Sequence, residues 1–202
     1  MKKKKTSRQV LFRKLDNLYE RMVEQYNVVA EEVGLSCADC ENNCCTSYFQ
    51  HHTYVEWAYM WKGLNELPEA KREEFIARAQ EYVRCSQNAI SFGNRPNVMC
   101  PLNDDGLCGL YKHRLMICRM HGIPNLLTNP NGKQINFAGC FRTQALTDAM
   151  ESESKEVPVL DRTELYKELV ALEMQFVGPK LRKLPRVDYT LAEMIVMGPP
   201  KF

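Results

Sequence analysis

The stretch Cys37-Ala38-Asp39-Cys40-Glu41-Asn42-Asn43-Cys44-Cys45 puts four cysteines into nine residues, spaced C-x2-C-x3-C-C. A C-x2-C pair lets two sulfurs reach one centre across a turn, and Cys44 follows within reach of the same point. Asp39, Asn42 and Asn43 favour turns because their side chains bond the local backbone, so residues 37–50 read as a loop. Cys45 is a separate case. Neighbours in extended backbone point to opposite sides. Cys44 and Cys45 therefore either face two centres, or one ligates while the other packs or reacts.

Four further cysteines follow at Cys100, Cys108, Cys118 and Cys140. Thiolate sulfur is soft and anionic, and it suits iron–sulfur clusters, Zn2+ or Cu(I). A [4Fe–4S] or [2Fe–2S] cluster takes four cysteines, and zinc takes four ligands tetrahedrally. The eight thiols Cys37, Cys40, Cys44, Cys45, Cys100, Cys108, Cys118 and Cys140 are thus the candidate metal ligands. They make either two four-ligand sites or one cluster with the remainder structural or redox-active. Pro101 stiffens the chain after Cys100, Gly106 and Gly109 flank Cys108, and Gly139 precedes Cys140. Arg95, Lys112, Arg114 and Arg119 are read either as charges offsetting the thiolates or as plain surface residues. Cys85 stands alone inside a helical pattern and reads as a small buried hydrophobe.

The flanks of the cysteine-rich stretch are helical. Leu11, Leu15, Leu18, Met22, Tyr26, Val29 and Val33 recur at three- and four-residue steps, and Gly34 stops that helix. Thr53 with Glu56 makes a capping-box pattern for a helix to about Leu64, carrying Trp57, Met60, Trp61 and Leu64. Pro68 opens the next helix, whose face is Phe75, Ile76, Ala79, Tyr82, Val83 and Ile90. The centre is irregular. Asn103-Asp104-Asp105-Gly106 and Asn129-Pro130-Asn131-Gly132 are turn signals, the second leading into a strand Gln134–Phe137. One short helix is expected from Leu110 to about Met120. After the polar run 151–156, read as a linker, Asp161 caps a helix bearing Leu165, Leu169, Leu172 and Phe176, closed by Gly178-Pro179. A last helix starts near Thr190.

The expected fold is mainly α, with helices flanking an irregular cysteine-rich metal-binding centre that carries short hairpins. One domain over 1–202 is expected, with a cysteine-cluster core at 37–140 and a helical C-terminal extension at 151–202. At 202 residues and 45% apolar content the chain does not need cysteines merely to stay folded. A net charge of +2 gives no strong nucleic-acid signal. No apolar run approaches the roughly 18–20 residues of a membrane span. The Met1–Lys5 basic start lacks an apolar region after it and does not read as a secretory signal, so the reducing cytoplasm is the expected compartment. His51, His52, His113 and His121 read as solvated or core residues before they read as ligands. No Ser/His/Asp pattern, phosphate-binding glycine loop or metalloprotease motif occurs.

The run CADCENNCC, then C-P-L-N-D-D-G-L-C-G-L-Y-K-H-R-L-M-I-C-R and a final Cys140, resembles the YkgJ-like cysteine-cluster family of bacterial proteins. That family is described as zinc- or iron-chelating, or as iron–sulfur-cluster-containing. The resemblance covers residues 37–140 and implies the same eight ligands, with Tyr111, Arg114 and Arg119 at other motif positions. Leu115 stands where the family usually has proline, and leucine favours a continuing helix. The expected function is a metal-binding protein holding an iron–sulfur cluster, or zinc, with redox or electron transfer as its use. The alternatives are a cluster-dependent oxidoreductase or modifying enzyme, in which Cys45 would be the reactive thiol, and a zinc-stabilised interaction module. The partner, protein or redox, is not specified by the residues.

Overall fold

The computed structural model describes residues 7–37 and 44–202. Cys40 lies outside them, with the rest of residues 38–43 in the first cysteine loop. The helices are α1 (Arg8–Val33), α2 (Tyr54–Glu66), α3 (Glu69–Ser91), α4 (Met116–Met120), α5 (Phe141–Ser152), α6 (Thr163–Val177) and α7 (Leu191–Val196). The strands are β1 (Asn103–Asp104), β2 (Leu107–Cys108), β3 (Asn125–Thr128), β4 (Gln134–Phe137) and β5 (Leu160–Asp161). The fold is mainly α, as the periodicity implies.

The chain groups into two compact units that both draw on early and late segments. The first takes Met1–Cys40 and Met116–Phe176, the second Glu41–Leu115 and Val177–Phe202. Each unit brings together segments that lie far apart in the chain.

In the first unit, α1 starts at Ser7, whose hydroxyl accepts the Val10 amide, and ends at Gly34 in the left-handed conformation. Leu11, Leu15, Leu18, Met22, Val29 and Val33 of the predicted stripe are buried, and Tyr26 is half-buried. Helices α4 and α5 and strand β5 pack on α1. Arg21 donates to both carboxylate oxygens of Glu168 on α6 through its two terminal guanidinium nitrogens. The turn at Asn129–Gly132 folds β3 and β4 into an antiparallel hairpin, Leu126 opposite Asn136. Strand β5 then joins β3 in parallel, giving the order β4-β3-β5. That short strand was not anticipated, because two residues carry no alternation to read. Asp161 caps α6 as expected, its carboxylate accepting the Thr163 amide at 2.9 Å. Residues 151–156 do not form a separate linker: Glu151 and Ser152 close α5, and the Lys155 amide returns to the Met150 carbonyl.

In the second unit, α3 packs on α7. The indole N–H groups of Trp57 and Trp61 both donate to the Met194 carbonyl at 3.0 Å, satisfying the end of α7. A capping box forms at Thr190 and Glu193. The box expected at Thr53 and Glu56 does not form. The Thr53 hydroxyl donates instead to the Glu56 carboxylate at 2.7 Å, because that carboxylate is buried and needs a donor. On α3 the buried stripe is Phe75, Ala79, Tyr82 and Ser86, while Ile90, expected inside, is 50% exposed.

Two further expectations are corrected here. The single helix from Leu110 to Met120 is two pieces, a 3-10 turn at Tyr111–His113 and the helix α4. Arg114 between them is extended, at φ −60° and ψ 140°. Leu115 favours helix but is fully buried, and packing overrides a propensity difference of a few tenths of a kcal/mol. Cys85 is only half-buried rather than a core hydrophobe. Its thiol donates to Glu81 at 3.2 Å on the surface of α3, and this bond raises its pKa.

Candidate metal centre

In the second unit the cysteines converge through backbone. Cys44 and Cys45 lie in a 3-10 turn, Cys44–Thr46. The Cys100 amide donates to the Cys45 carbonyl at 2.8 Å, and the Asn103 amide donates to the Cys100 carbonyl at 3.0 Å. Asn103 opens β1, and its partner across the hairpin is Cys108. The connecting residues Asp105 and Gly106 have φ of 50° and 85°, the paired left-handed conformation that a two-residue hairpin requires. Cys45, Cys100 and Cys108 are thus linked in a short chain of main-chain contacts. The hairpin is anchored to α3, where Lys71 pairs with Asp104 at 2.8 Å and Arg78 donates to the Asn103 carbonyl at 2.8 Å. Gly109 passes directly over the Phe75 ring, where a larger residue would not fit.

The electrostatics at Cys45 favour an anionic sulfur. A hydrogen bond with Cys44 lowers its pKa most, with the Asn103 side chain and the Arg114 charge adding, and together they outweigh burial to bring it to about 6. The Arg114 guanidinium is stacked 3.8 Å over the Tyr111 ring, which holds that charge in place.

In the first unit, Cys118 lies on α4 and Cys140 immediately before α5. The Cys140 amide bonds the Gly122 carbonyl at 3.4 Å, and the Thr143 hydroxyl donates to that same carbonyl. This joins Cys140 to the segment just after Cys118. The Cys140 sulfur lies 3.5 Å from the Thr143 hydroxyl. Gly139, at φ 84°, supplies the tight approach. Arg119 is buried with its guanidinium 4.1 Å over the Tyr19 ring. Cys37 is exposed, four residues past the end of α1.

Every described cysteine stands as a thiol rather than in a disulfide. Among the described residues, no three or more Cys, His, Asp or Glu side chains are gathered tightly enough to hold a single metal ion. Of the expected set, Cys44, Cys45, Cys100 and Cys108 fall in one unit and Cys37, Cys118 and Cys140 in the other. Three of the histidines have neighbours within the second unit. His51 is buried in a backbone bridge with Tyr189, and burial lowers its pKa to about 3. His52 lies 3.3 Å from Asp188, and His113 packs on Tyr59.

The residues around Cys45 fit a thiolate-bound centre on one specific observation. The Asn103 Nδ2 atom is buried and has no hydrogen-bond partner, and the Asn103 side chain is among the groups that lower the Cys45 pKa. A buried amide donor facing sulfur is the kind of group that stabilises metal-bound thiolate. In the sequence Asn103 reads only as a turn former; its one signal is its place as the first residue of Asn-Asp-Asp-Gly between two cysteines. Among the described residues no helix is long and apolar enough to cross a membrane. Comparison with family models, curated proteins and solved structures finds no match for this chain.

Proposed function

We propose that this chain is a thiolate metal-binding protein, using Cys37, Cys40, Cys44, Cys45, Cys100, Cys108, Cys118 and Cys140 to hold an iron–sulfur cluster, with zinc as the alternative. The observation that carries the reading is the Cys45 environment: a sulfur biased toward thiolate, beside Cys44, with a buried amide and a clamped arginine facing it. The motif likeness to the YkgJ-like family supports the same ligand set. Cys85 is outside it, engaged with Glu81 on a helix surface.

A bound cluster would supply one-electron redox chemistry, and bound zinc a rigid local fold. The chain's own contribution is to hold the sulfurs and balance their charge. The Cys45–Cys100–Asn103 backbone links fix the spacing in one unit, and Gly139 with Thr143 fixes Cys140 in the other. A redox protein partner and a reducing, cytoplasmic setting belong to this reading.

Protein purified without oxygen is expected to contain iron and acid-labile sulfide and to show a visible sulfur-to-iron absorption band. Stoichiometric zinc in colourless protein would overturn the iron–sulfur reading in favour of a zinc-stabilised interaction module. Absence of both metals would overturn metal binding itself.

A further inference from the structure

We propose that Asn103 is a positioning residue for the cysteine site, its side-chain amide donating to the sulfur of Cys45 and holding it in ligating orientation. Its value to a metal centre rests on the reading above; the amide–sulfur contact itself does not.

The geometry of Asn103 leaves that amide little other use. Its Oδ1 accepts the Gly106 amide at 3.1 Å, so the carboxamide plane is fixed by the hairpin turn. Its backbone is held on both sides, the amide on the Cys100 carbonyl and the carbonyl by Arg78. With Oδ1 committed to the turn, Nδ2 must point away from it, and there it is buried with no hydrogen-bond partner. An unmet buried donor costs about 1–3 kcal/mol, so a fold that keeps one is expected to give it an acceptor in the working state. Cys45 is the acceptor at hand, since Cys100 bonds Cys45 on one side and Asn103 on the other.

Two variants separate the donor from the turn. Asn103→Asp keeps an oxygen for the Gly106 amide and so keeps the hairpin, but it has no donor. Asn103→Leu removes the donor without adding charge. Zinc affinity of the full chain, measured by chelator competition, is expected to fall about tenfold in both, the scale of a lost supporting hydrogen bond at a metal site. Leu107→Ala, 76% exposed on the second strand of the same hairpin, is expected to leave it unchanged. Undiminished affinity in both Asn103 variants would overturn the proposal while leaving metal binding standing. A second readout needs no metal. In metal-free full chain, the Asn103 side-chain amide proton is expected downfield of ordinary asparagine in nuclear magnetic resonance spectra, returning to the ordinary range in Cys45→Ala. If wild type binds no metal, the reading above fails and this resonance decides the amide–sulfur contact: a resonance in the ordinary range, indifferent to Cys45→Ala, overturns it.

Discussion

Cys45→Ser is expected to strip the chain of metal under anaerobic preparation while α2, α3 and α7 persist. Serine is nearly isosteric, but its hydroxyl stays protonated at neutral pH, so the substitution removes an anionic soft ligand with little steric change. The effect on affinity should exceed about 100-fold, the upper range for losing a mere supporting contact. The helices should survive because their cores are independent of the sulfur: Trp57 and Trp61 remain bonded to Met194, and α3 remains packed on α7. Metal analysis with far-ultraviolet circular dichroism checks both halves. Wild-type metal content in Cys45→Ser would remove Cys45 from the ligand set.

Gly139→Ala is expected to destabilise the first unit by about 2–5 kcal/mol, combining roughly 1–2 for the left-handed backbone with 1–3 for overpacking. At φ 84° an added Cβ would lie 2.9 Å from the Ile123 carbonyl carbon and 3.0 Å from the Gly122 oxygen. Both are main-chain atoms, which cannot swing aside as a side-chain tip can. The strain falls on the carbonyl that holds Cys140 and Thr143. Gly132 is the internal control. Its φ is 81°, but nothing lies within 4 Å of an added Cβ, so Gly132→Ala should cost only the backbone share, about 1–2 kcal/mol. Urea unfolding of the two variants checks the difference. Equal costs would mean that the close approach at Gly139 is absent.

Much of the fold was legible because its determinants are local. The stripe from Leu11 to Val33 and the stop at Gly34 need only helical periodicity and a left-handed cap. Asn103-Asp104-Asp105-Gly106 demands a two-residue hairpin because two positive φ angles are cheapest at such residues. The failures are tertiary. Arg114 leaves the helical region although Leu115 favours helix, and Leu115 is buried. Strand β5 exists only through its pairing with β3, and Leu160 and Asp161 alone carry no signal of it. Cys85 falls on the polar side of α3, where Glu81 one turn earlier accepts its hydrogen bond. At the candidate site the cysteine types and the turn residues could be read directly. The partnership of Cys45, Cys100 and Asn103 could not, because residues more than fifty positions apart meet through main-chain bonds that leave no spacing rule.

The most direct test of metal binding is native mass spectrometry of the intact chain, prepared without oxygen and without chelator. The account predicts an intact mass above that of the polypeptide by a bound iron–sulfur cluster or zinc, with the excess lost in Cys45→Ser. A single species at the polypeptide mass, from folded wild-type protein, would contradict it.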